Sequence, residues 1–452
     1  MFGTSGELRV VTHGSLKGDV NVLFDGISID SRTIKKGEVF LALKGERFDG
    51  HEFIEEVIKK GASGVIVNRN FKGKYRGNLF YIYVNDTKKA LGQIATYWRK
   101  KVNPKVIAVT GSCGKTSTKE IIHTLLSRRY KTLKNYANLN NYFGVSLTLL
   151  KLRDEDFAVV EAGINHKGEM KELAEVIQPD GTIVTNIAPV HLEGIPSLRE
   201  IFVEKRVLLD NAREVVFVNS DDKFLGNYSR KGIDIIKFGK SGNIKYKNVI
   251  ILSERLMKLD LIDNSQDKRE IVFPYPGIGL AVNIAGAVAV ARYFNIEWDD
   301  IVDALKGVSL PKMRMEMRKI GDTSVIVDAY NSNPTAVKNA IETFDKFKFR
   351  RKSLILGDMK ELGKWSCYYH ALLGRYLAKF NFNEIYFVGD EIKKTFETLR
   401  KHGKRNVEYV NNVNELKKNM KSILEKNDAI LVKGSRSIAL EKLFEEETID
   451  VI

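Results

Sequence analysis

Short apolar stretches alternate with segments of helical spacing along the middle of the chain. Between residues 105 and 240 the apolar stretches are VIAVTG, FAVVEAG, TIVTNIA, VVFVNS and IIKFG. Each stretch has the length of one buried strand, and the segments between them have the length of helices. The alternation predicts a mainly parallel sheet that is covered by helices.

The pattern changes after residue 243. Residues 243–273 alternate apolar and charged positions between charged turns, which predicts an antiparallel edge of the sheet. Residues 281–294 are apolar and rich in alanine, as in a buried helix. We interpret Pro311 and the charged run KMRMEMRK as a boundary. Five more strands are predicted beyond it, namely SVIVDAY, SLILGDM, EIYFVGD, VEYVNN and AILVKGS.

The first 84 residues have the pattern of a smaller α/β unit. Residues 38–43 and 64–68 are predicted strands, and residues 52–61 have helical spacing that ends at a glycine. A helical linker at residues 87–101 leads into the middle of the chain.

We therefore predict an α/β protein with three domains. Residues 1–84 form a small N-terminal α/β domain, and residues 85–311 form a central domain with a parallel sheet and an antiparallel edge. Residues 312–452 form a C-terminal Rossmann-like domain, a fold that binds ligands outside the carboxyl ends of its strands. The length of 452 residues agrees with this division, because domains usually have about 100–200 residues.

The composition, the cysteine count and the net charge argue against several classes of protein. No run of about 18 apolar residues is present, so no transmembrane helix is predicted. The N-terminus lacks an apolar signal core, and the chain has only two cysteines without a CxxC pair, so a cytoplasmic protein is expected. The net charge of +16 suits anionic partners, but the short basic runs are not interleaved with aromatic residues, so nucleic-acid binding is not expected.

The stretch 106-VIAVTGSCGKTSTKE-120 predicts a phosphate site. A strand leads to two glycines, and a lysine and a hydroxyl residue open the following helix. The usual pattern would place a glycine at Val109, yet each chemical part that holds phosphate and Mg²⁺ is present. The predicted phosphate contacts are Gly111, Ser112, Cys113, Gly114, Lys115, Thr116 and Ser117.

Polar residues after other strands extend this site. Glu161 ends a predicted strand, where its carboxylate is placed to hold Mg²⁺ or to orient a nucleophile. His191 follows the next strand, as a further candidate. Asn138, Asn140 and Asn141 form an amide-rich loop that suits a sugar or peptide substrate, although a helix-capping loop would have the same residues.

Seven motifs together resemble the Mur ligase family. In chain order they are TGSCGKTSTK, ANLNN, EAG, TNIAPVHLE, VDAYNSNP, LGDMKELG and VKGSRS. The family consists of ATP-dependent amide ligases that build the stem peptide of peptidoglycan. Its phosphate motif is T-G-x-x-G-K-T, in which the residue at Val109 is not a glycine.

The resemblance extends to one activity within the family. The motifs 328-DAYNSNP-334 and 357-GDMKELG-363 are similar to those of members that join D-alanyl-D-alanine to UDP-N-acetylmuramoyl-tripeptide. Members that add the third amino acid would be expected to carry D-N-P-R, which is absent. At the N-terminus, 45-GERFDGH-51 together with Asp30, Ser31 and Arg32 resembles the loop that binds the UDP-sugar, to which Asn138, Asn140 and Asn141 are also assigned.

The resemblance also implies roles for individual residues. Thr116 and Glu161 would hold one Mg²⁺ ion and His191 a second, and Lys115 would stabilise the transferred phosphate. Lys205 matches a lysine that is carbamylated in several members, although alone it has the pattern of a lysine on a helix surface.

Three more residues are expected near ATP by resemblance. Asn283 would face the adenine, and Arg314 and Asp328 would approach from the last domain. The chain departs from the family at Gly279-Leu280, because many members carry a histidine four residues before the asparagine.

Asn331 and Asn333 are candidate contacts for the dipeptide acceptor, although N-x-N-P is also a turn-forming sequence. Closure of the last domain over ATP is expected, since it would protect an acyl phosphate from water.

Three other functions were weighed. The first is a Mur ligase that adds a single third amino acid to UDP-N-acetylmuramoyl-dipeptide. The second is a P-loop ATPase or GTPase switch, which should show an Asp-ended Walker B strand or N-K-x-D, and neither is found. The third is a carbohydrate-binding module. Such a module would not need the GKT sequence together with Glu161 and His191, and their presence argues against it. The expected partners are the small substrates alone, with no nucleic acid and no membrane insertion, and the enzyme is expected to be a monomer.

Overall fold

The computed structural model describes residues 2–45, 48–76 and 78–444. The chain forms two compact units, each assembled from separate segments. The first contains Met1–Val106, Lys131–Ala162 and Lys171–Pro179, and the second contains Ile107–Tyr130, Gly163–Met170 and Asp180–Ile452. Among the described helices, none has the length and apolarity needed to cross a bilayer.

The N-terminal part of the first unit is a small α/β fold. Its elements in chain order are β1 (Gly3–Thr4), α1 (Ser5–Thr12), β2 (Ser15–Lys17), β3 (Leu23–Phe24), β4 (Ile27–Ser28), β5 (Val39–Leu41), a 3-10 helix (Gly50–Phe53), α2 (Ile54–Lys59), β6 (Gly64–Asn68), β7 (Phe80–Val84) and α3 (Thr87–Val102).

Five of these strands form one sheet in the order β2-β7-β6-β5-β4. Only β2 is antiparallel to its neighbour, and the other pairs are parallel. Strands β5 and β6 are nearly continuous apolar runs, as expected for parallel strands that are covered on both faces. Phe40, Val65 and Tyr81 pack with Val57 of α2 to form the core.

The middle of the chain supplies elements to both units. They are β8 (Lys105–Thr110), α4 (Lys115–Leu126), β9 (Thr132–Lys134), α5 (Tyr142–Leu149), β10 (Phe157–Glu161), α6 (Glu169–Ile177), β11 (Gly181–Val184), α7 (Leu198–Asp210), β12 (Val215–Asn219), β13 (Asp234–Gly239), β14 (Ile244–Ile251), β15 (Met257–Ile262), β16 (Lys268–Phe273), α8 (Leu280–Tyr293) and α9 (Trp298–Lys306).

Within the first unit, β9 and β10 form a parallel pair. Within the second unit, seven strands follow the order β16-β15-β14-β13-β12-β11-β8. Strands β8, β11, β12, β13 and β14 are parallel, whereas β14, β15 and β16 are antiparallel to one another. The predicted parallel sheet with an antiparallel edge is therefore confirmed.

The last third of the chain forms a second sheet of the second unit. Its elements are β17 (Glu316–Ile320), β18 (Thr323–Val327), α10 (Pro334–Asp345), β19 (Lys352–Gly357), α11 (Ser366–Leu377), β20 (Ile385–Val388), α12 (Lys393–Lys401), β21 (Val407–Val410), α13 (Val413–Lys417), α14 (Met420–Glu425) and β22 (Ala429–Lys433), with 3-10 helices at Gly363–Trp365, Arg436–Ile438 and Leu440–Phe444.

This sheet has the order β17-β18-β22-β19-β20-β21. All its neighbouring strands are parallel except β17, which is antiparallel to β18. The five predicted strands are confirmed, and Glu316–Ile320, within the charged run that was interpreted as a boundary, is an additional edge strand that was not predicted. The omission has a physical cause: most of β17 is only half-buried, so charged residues are tolerated there.

The predicted fold class is confirmed: the protein is α/β, with largely parallel sheets in the central and C-terminal parts of the chain. The proposed domain limits at residues 84 and 311 stay predictions. What matters for the site is that Asp328, Asp358 and Gly434 directly follow β18, β19 and β22, so their polar loops meet at one edge of the C-terminal sheet.

A buried side-chain amide, that of Asn427, forms hydrogen bonds with several segments of the C-terminal part of the chain. The Oδ1 atom of Asn427 accepts from Ser353 Oγ at 2.6 Å and from Asn383 Nδ2 at 3.1 Å, and Asn427 Nδ2 donates to the carbonyl of Ile423 at 2.8 Å. Only 2% of Asn427 is exposed. Because unsatisfied buried groups cost about 1–3 kcal/mol, this side chain stabilises the sheet.

We expect Asn427→Ala to lower the thermal unfolding midpoint by several degrees, since about 1–3 kcal/mol of stability would be lost with the buried hydrogen bonds. Differential scanning calorimetry would measure the shift. Asn414→Ala is the matched control, because Asn414 is exposed on a nearby helix and should change stability by less than about 0.5 kcal/mol. Equal shifts for the two variants would contradict the role of Asn427.

Candidate active site

A tight turn joins β8 to α4. Gly111 and Gly114 both have positive φ, of 147° and 79°. A Cβ atom on Gly111 would lie 1.9 Å from Thr185 Oγ1, so only glycine fits there. Gly114 is the N-cap of α4, whose first residues are Lys115 and Thr116. The unpaired N–H groups at this helix start face the turn, which is the arrangement that binds phosphate.

The loop that follows β11 holds this turn in place. Asn186 accepts from the backbone of Ser112 through its carbonyl and from that of Cys113 through Oδ1, both at 2.9 Å. Ser112 Oγ accepts from the N–H of Ala188 at 2.8 Å, and Thr185 Oγ1 donates to the carbonyl of Cys113 at 2.5 Å. Sequence analysis did not single out Asn186 or Thr185, although both lie in the TNIAPVHLE motif.

Two cations lie at the start of α4. The Nζ atom of Lys115 donates to the carbonyl of Gly111 at 2.9 Å, so the lysine folds back over the turn. Arg314 reaches the same place from the segment before β17 and donates from Nη2 to Thr116 Oγ1 at 2.9 Å. The predicted approach of Arg314 to the phosphate loop is therefore present in the structure.

Arg314 is held on both sides. Its neighbours Met313 and Met315 have positive φ values of 59° and 52°, a backbone region that bulky residues rarely adopt. Its guanidinium carbon lies 4.5 Å from the centre of the Tyr330 ring, within cation–π range. The strained segment and the ring together fix the position of this charge.

One cleft gathers most of the residues that were predicted to contact ATP. Of those, Cys113, Gly114, Ser117, Asn283, Arg314 and Asp328 line it, together with Asn186, Gly277, Gly279, Leu280, Val282, Leu310, Met315, Ala336, Asn339, Ala340 and Thr343. The carboxamide of Asn283 packs against Gly114, where an added Cβ would lie 2.5 Å away. The departure at Gly279-Leu280 lies in the wall of the same cleft.

Asp328 is paired with a lysine that sequence analysis did not assign to the site. Lys433, at the end of β22, donates from Nζ to Asp328 Oδ2 at 2.7 Å and to the carbonyl of Asn331 at 3.0 Å. Only 2% of Lys433 is exposed. The VKGSRS motif contained this residue, and its place at a strand end was the signal that could have identified it.

Asn331 and Asn333 lie in the loop between β18 and α10. Asn333 is the N-cap of α10, where its Oδ1 accepts from the N–H of Ala336 at 2.9 Å and lies 3.1 Å from Cys113 Sγ. The side chain of Asn331 accepts from the N–H of Ser332. The turn-forming role of this sequence is therefore present, and contact with an acceptor stays a prediction.

His191 and Lys205 occupy contrasting environments. His191 has a positive φ of 52°, and its Nδ1 atom lies 2.5 Å from Glu361 Oε2. The contact with His191 holds the pKa of Glu361 below its usual range. Lys205 on α7 is only 1% exposed, so the alternative of a plain lysine on the helix surface is excluded, and carbamylation stays a prediction. Burial, helped by the nearby charge of Lys115, lowers the pKa of Lys205 well below its usual range.

In the first unit, Glu161 ends β10 and is 2% exposed. Its Oε1 atom accepts from Asn140 Nδ2 at 2.8 Å. Asn135, which sequence analysis missed, accepts from the N–H of Glu161 at 2.9 Å and donates to its carbonyl at 3.0 Å. Asn141 caps α5, and Asn138 is exposed, so the amide loop combines capping with support of the carboxylate.

The predicted UDP-sugar residues form a surface turn. Arg32 donates from Nε and Nη2 to the two carboxylate oxygens of Asp30, which lowers the pKa of Asp30 to about 2. Ser31 is buried, and Lys60 donates to its carbonyl at 2.7 Å. The companion motif at 45–51 includes positions 46 and 47, which lie outside the described residues.

Family models match most of the chain. The Mur ligase middle domain matches residues 109–291, the glutamate ligase domain of Mur ligases matches residues 313–436, and the catalytic domain of the Mur ligase family matches residues 23–99. A curated UDP-N-acetylmuramoyl-tripeptide–D-alanyl-D-alanine ligase from Rickettsia prowazekii is 31% identical over 98% of this chain and 99% of its own. The chain belongs to the Mur ligase family.

Further relatives agree in name and fold. A Bacillus subtilis enzyme of the same name is 30% identical over 93% of this chain and 92% of its own. The crystal structure of MurF from Acinetobacter baumannii has a TM-score of 0.90 and 30% identity over 98% of this chain and 97% of its own. MurF from Thermotoga maritima, solved with ADP, has a TM-score of 0.84 and 25% identity over 94% and 97% of the two chains.

The predictions of family, fold and ATP-dependent amide ligase are thereby confirmed. The donors in this Mur ligase also suit a nucleotide-bound Mg²⁺, since Thr116 offers a hydroxyl and His191 an imidazole. Among the described residues no three His, Cys, Asp or Glu side chains cluster closely enough to hold a metal by themselves. Mg²⁺ commonly takes a few protein ligands together with phosphate oxygens and water, so the donor set fits.

We expect Gly114→Ala to weaken ADP binding by at least about tenfold, which corresponds to ~1.4 kcal/mol. The added methyl would meet Asn283 and displace the turn from the cleft. Isothermal titration calorimetry with ADP would measure the change.

Gly232→Ala is the matched control. Gly232 has a similar φ of 73°, but nothing lies within 4 Å of the added Cβ. Both variants carry the same backbone strain, so only a loss confined to Gly114→Ala supports the clash with Asn283. Unchanged ADP affinity in Gly114→Ala would contradict the placement of the nucleotide.

Proposed function

We propose that this Mur ligase joins D-alanyl-D-alanine to UDP-N-acetylmuramoyl-tripeptide, forming the pentapeptide precursor of peptidoglycan with release of ADP and phosphate. The observation that carries the proposal is the cleft in which a phosphate loop, Asn283 and Arg314 come together. The names of the relatives support the interpretation of DAYNSNP and GDMKELG as motifs of a dipeptide-adding enzyme rather than one that adds a third amino acid.

The reaction has two steps that balance in atoms and charge. The terminal carboxylate of the tripeptide attacks the γ-phosphorus of ATP, and the bond to ADP breaks. The amine of D-alanyl-D-alanine then attacks the acyl phosphate carbon, phosphate leaves, and the amine loses a proton. The phosphoryl group that is transferred from ATP at the phosphate loop thus activates a carboxylate.

The first step brings two anions together, so the site must supply positive charge. Lys115 lies over the phosphate turn, and Arg314 lies at the hydroxyl of Thr116. Preorganised cations of this kind stabilise charge that develops on the transferred phosphoryl group. Asn283, packed against Gly114, is proposed to bind the adenine side of the nucleotide.

The remaining predicted roles are part of the same proposal. Mg²⁺, when bound, would neutralise phosphate charge, and we assign Thr116 and Glu161 to one ion and His191 to a second. The fixed carboxylate of Glu161 supports this assignment, because Asn135 and Asn140 orient it. Asp328, which is paired with Lys433 and lines the same cleft as Asn283, is proposed to contact the nucleotide.

We assign Lys205 as a carbamate. A carbamate forms when a neutral amine attacks CO₂ and loses a proton, and the lowered pKa of Lys205 increases the neutral fraction. The product is an anion that can bind a metal ion and can pair with the nearby charge of Lys115. Replacing the buried cation by this anion removes the repulsion between Lys205 and Lys115.

The proposed contacts with the two substrates are those that the sequence predicts. Asp30, Ser31 and Arg32, with Asn138, Asn140 and Asn141, are proposed to bind the UDP-sugar, and Asn331 and Asn333 the dipeptide. The domain limits 1–84, 85–311 and 312–452, the monomeric state and the cytoplasmic location also stay predictions.

Phosphate release from ATP tests the proposed reaction. With UDP-N-acetylmuramoyl-tripeptide, release should require D-alanyl-D-alanine, and mass spectrometry should find a product heavier by two alanine residues. UDP-N-acetylmuramoyl-dipeptide with each single amino acid is the control. Release only in that control would move the enzyme to the preceding step, and release independent of every acceptor would favour a simple ATPase.

Lys205→Arg should reduce kcat by at least about 100-fold, because a guanidinium cannot form a carbamate and adds a buried cation. With ¹³C-labelled bicarbonate, the wild-type enzyme should give a carbamate carbon signal in NMR that Lys205→Arg lacks. Lys223→Arg, on an exposed turn, is the control and should keep both the signal and the activity. A wild-type enzyme without that signal would refute carbamylation.

A further inference from the structure

The contact between His191 and Glu361 joins two parts of the chain that are far apart in sequence. His191 belongs to the segment matched by the middle-domain model, and Glu361 to the segment matched by the glutamate ligase domain. Their ring nitrogen and carboxylate oxygen are 2.5 Å apart. The Nδ1 atom is buried and forms no well-aligned hydrogen bond, but an unprotonated nitrogen would repel a carboxylate oxygen at this distance, so the contact requires a proton on Nδ1. Such bonds in ligand-free enzymes commonly align only when substrate binds.

Both residues adopt a backbone conformation that costs energy. The φ values are 52° for His191 and 67° for Glu361, in the left-handed region that few residues other than glycine adopt; histidine is found there more often than glutamate. Strain of this kind persists only where the surroundings enforce it, and it concentrates at functional sites. Here it appears on both sides of one contact.

Ion pairs and hydrogen bonds hold the GDMKELG loop, which carries Glu361. Lys360 forms ion pairs with Asp358 and Glu391, both at 2.8 Å, and Asp358 accepts from the N–H of Ile392. The N–H of Lys360 donates to Ser435 Oγ at 2.9 Å. Asp358 is buried, which shields its own bonds from solvent, whereas the side chains of Lys360 and Glu391 are 34% and 30% exposed. The GDMKELG loop therefore presents Glu361 from a rigid base.

The backbone next to the pair is also joined. The N–H of Glu193 donates to the carbonyl of Glu361 at 3.3 Å, and Trp365 Nε1 donates to the carbonyl of Pro196 at 3.3 Å. An added Cβ on Gly363 would lie 3.2 Å from the side chain of Glu193, so the two loops are in close contact. The position of His191 thus depends on the loop of the C-terminal sheet.

We propose that Glu361 is a positioning residue that holds the proton of His191 on Nδ1. Nε2 is then unprotonated and free to bind a metal ion. Carboxylates commonly fix the tautomer of a metal-binding histidine in this way. Only the consequence of this inference rests on the proposed function. That consequence is that contact with the GDMKELG loop puts His191 in the tautomer that binds the metal ion. The tautomer itself is a property of the chain without substrate.

The tautomer is measured by NMR of the enzyme labelled with ¹⁵N in its histidine rings, at a pH where the imidazoles are neutral. Wild-type His191 should show the proton on Nδ1, assigned by loss of its signals in His191→Asn. Glu361→Ala should abolish this preference, and Glu361→Gln should largely restore it, because the amide oxygen still accepts from Nδ1–H. A proton on Nε2 in the wild type, or the same tautomer in Glu361→Ala, would overturn the proposal.

Mn²⁺ binding in the presence of ADP gives a second readout that needs no acceptor. Glu361→Ala should weaken it by about 10–100-fold, the usual cost of removing a supporting carboxylate. Glu193→Gln is the matched control, since it removes a carboxylate from the same contact but keeps the packing on Gly363. Thermal unfolding must show that each variant is folded. Equal Mn²⁺ affinities in Glu361→Ala and Glu193→Gln would overturn the inference.

Failure of this inference can be told apart from failure of the proposed function. Wild-type phosphate release with the tripeptide and dipeptide tests the reaction alone. A wild-type enzyme that is active but shows no effect of Glu361 on the tautomer would refute only the positioning role. A correct tautomer in an enzyme that does not use the dipeptide would refute only the assigned reaction.

Discussion

Repulsion between two anions is the constraint on which the site depends. In the proposed reaction a substrate carboxylate approaches the γ-phosphate of ATP, so cations are needed where the two meet. Lys115 and Arg314 lie at the phosphate turn, one from α4 and the other from the segment before β17. The same concentration of charge would be costly without substrate. The chain limits that cost by pairing Lys433 with Asp328 and by lowering the pKa of the buried Lys205.

The sequence predicted best where geometry is local. The phosphate turn needs a strand, two glycines, a lysine and a hydroxyl within a dozen residues, and each was recognised from spacing alone. The parallel strands were also recognised, because buried runs such as VVFVN are continuous and apolar. Edge strand β17 was missed, since half-buried positions accept Glu316 and Arg318 and so hide the strand pattern.

Residues that act through tertiary contact were harder to find. Asn186 fixes the phosphate turn from 73 positions away, and Lys433 meets Asp328 across 105 positions. Asn135 supports Glu161 by backbone hydrogen bonds that carry no sequence signature. Lys205 is a further case: from the sequence alone it was equally compatible with a plain helix-surface lysine, and only packing shows that it is buried. Each case is decided by which elements meet, and a single sequence does not specify that.

The contacts of the C-terminal sheet with the phosphate loop bear on water exclusion. Arg314 reaches Thr116, Asn333 reaches Cys113, and Glu361 reaches His191, so three separate loops converge on the same site. An acyl phosphate is hydrolysed by water, and a site built from one sheet alone would leave it exposed. Because Arg314, the cap of α10 and the imidazole partner Glu361 all come from the C-terminal part, a site without those contacts would keep Lys115 but lose the charge of Arg314 and the loops that exclude water. Protection of the intermediate and completion of the site therefore depend on the same contacts.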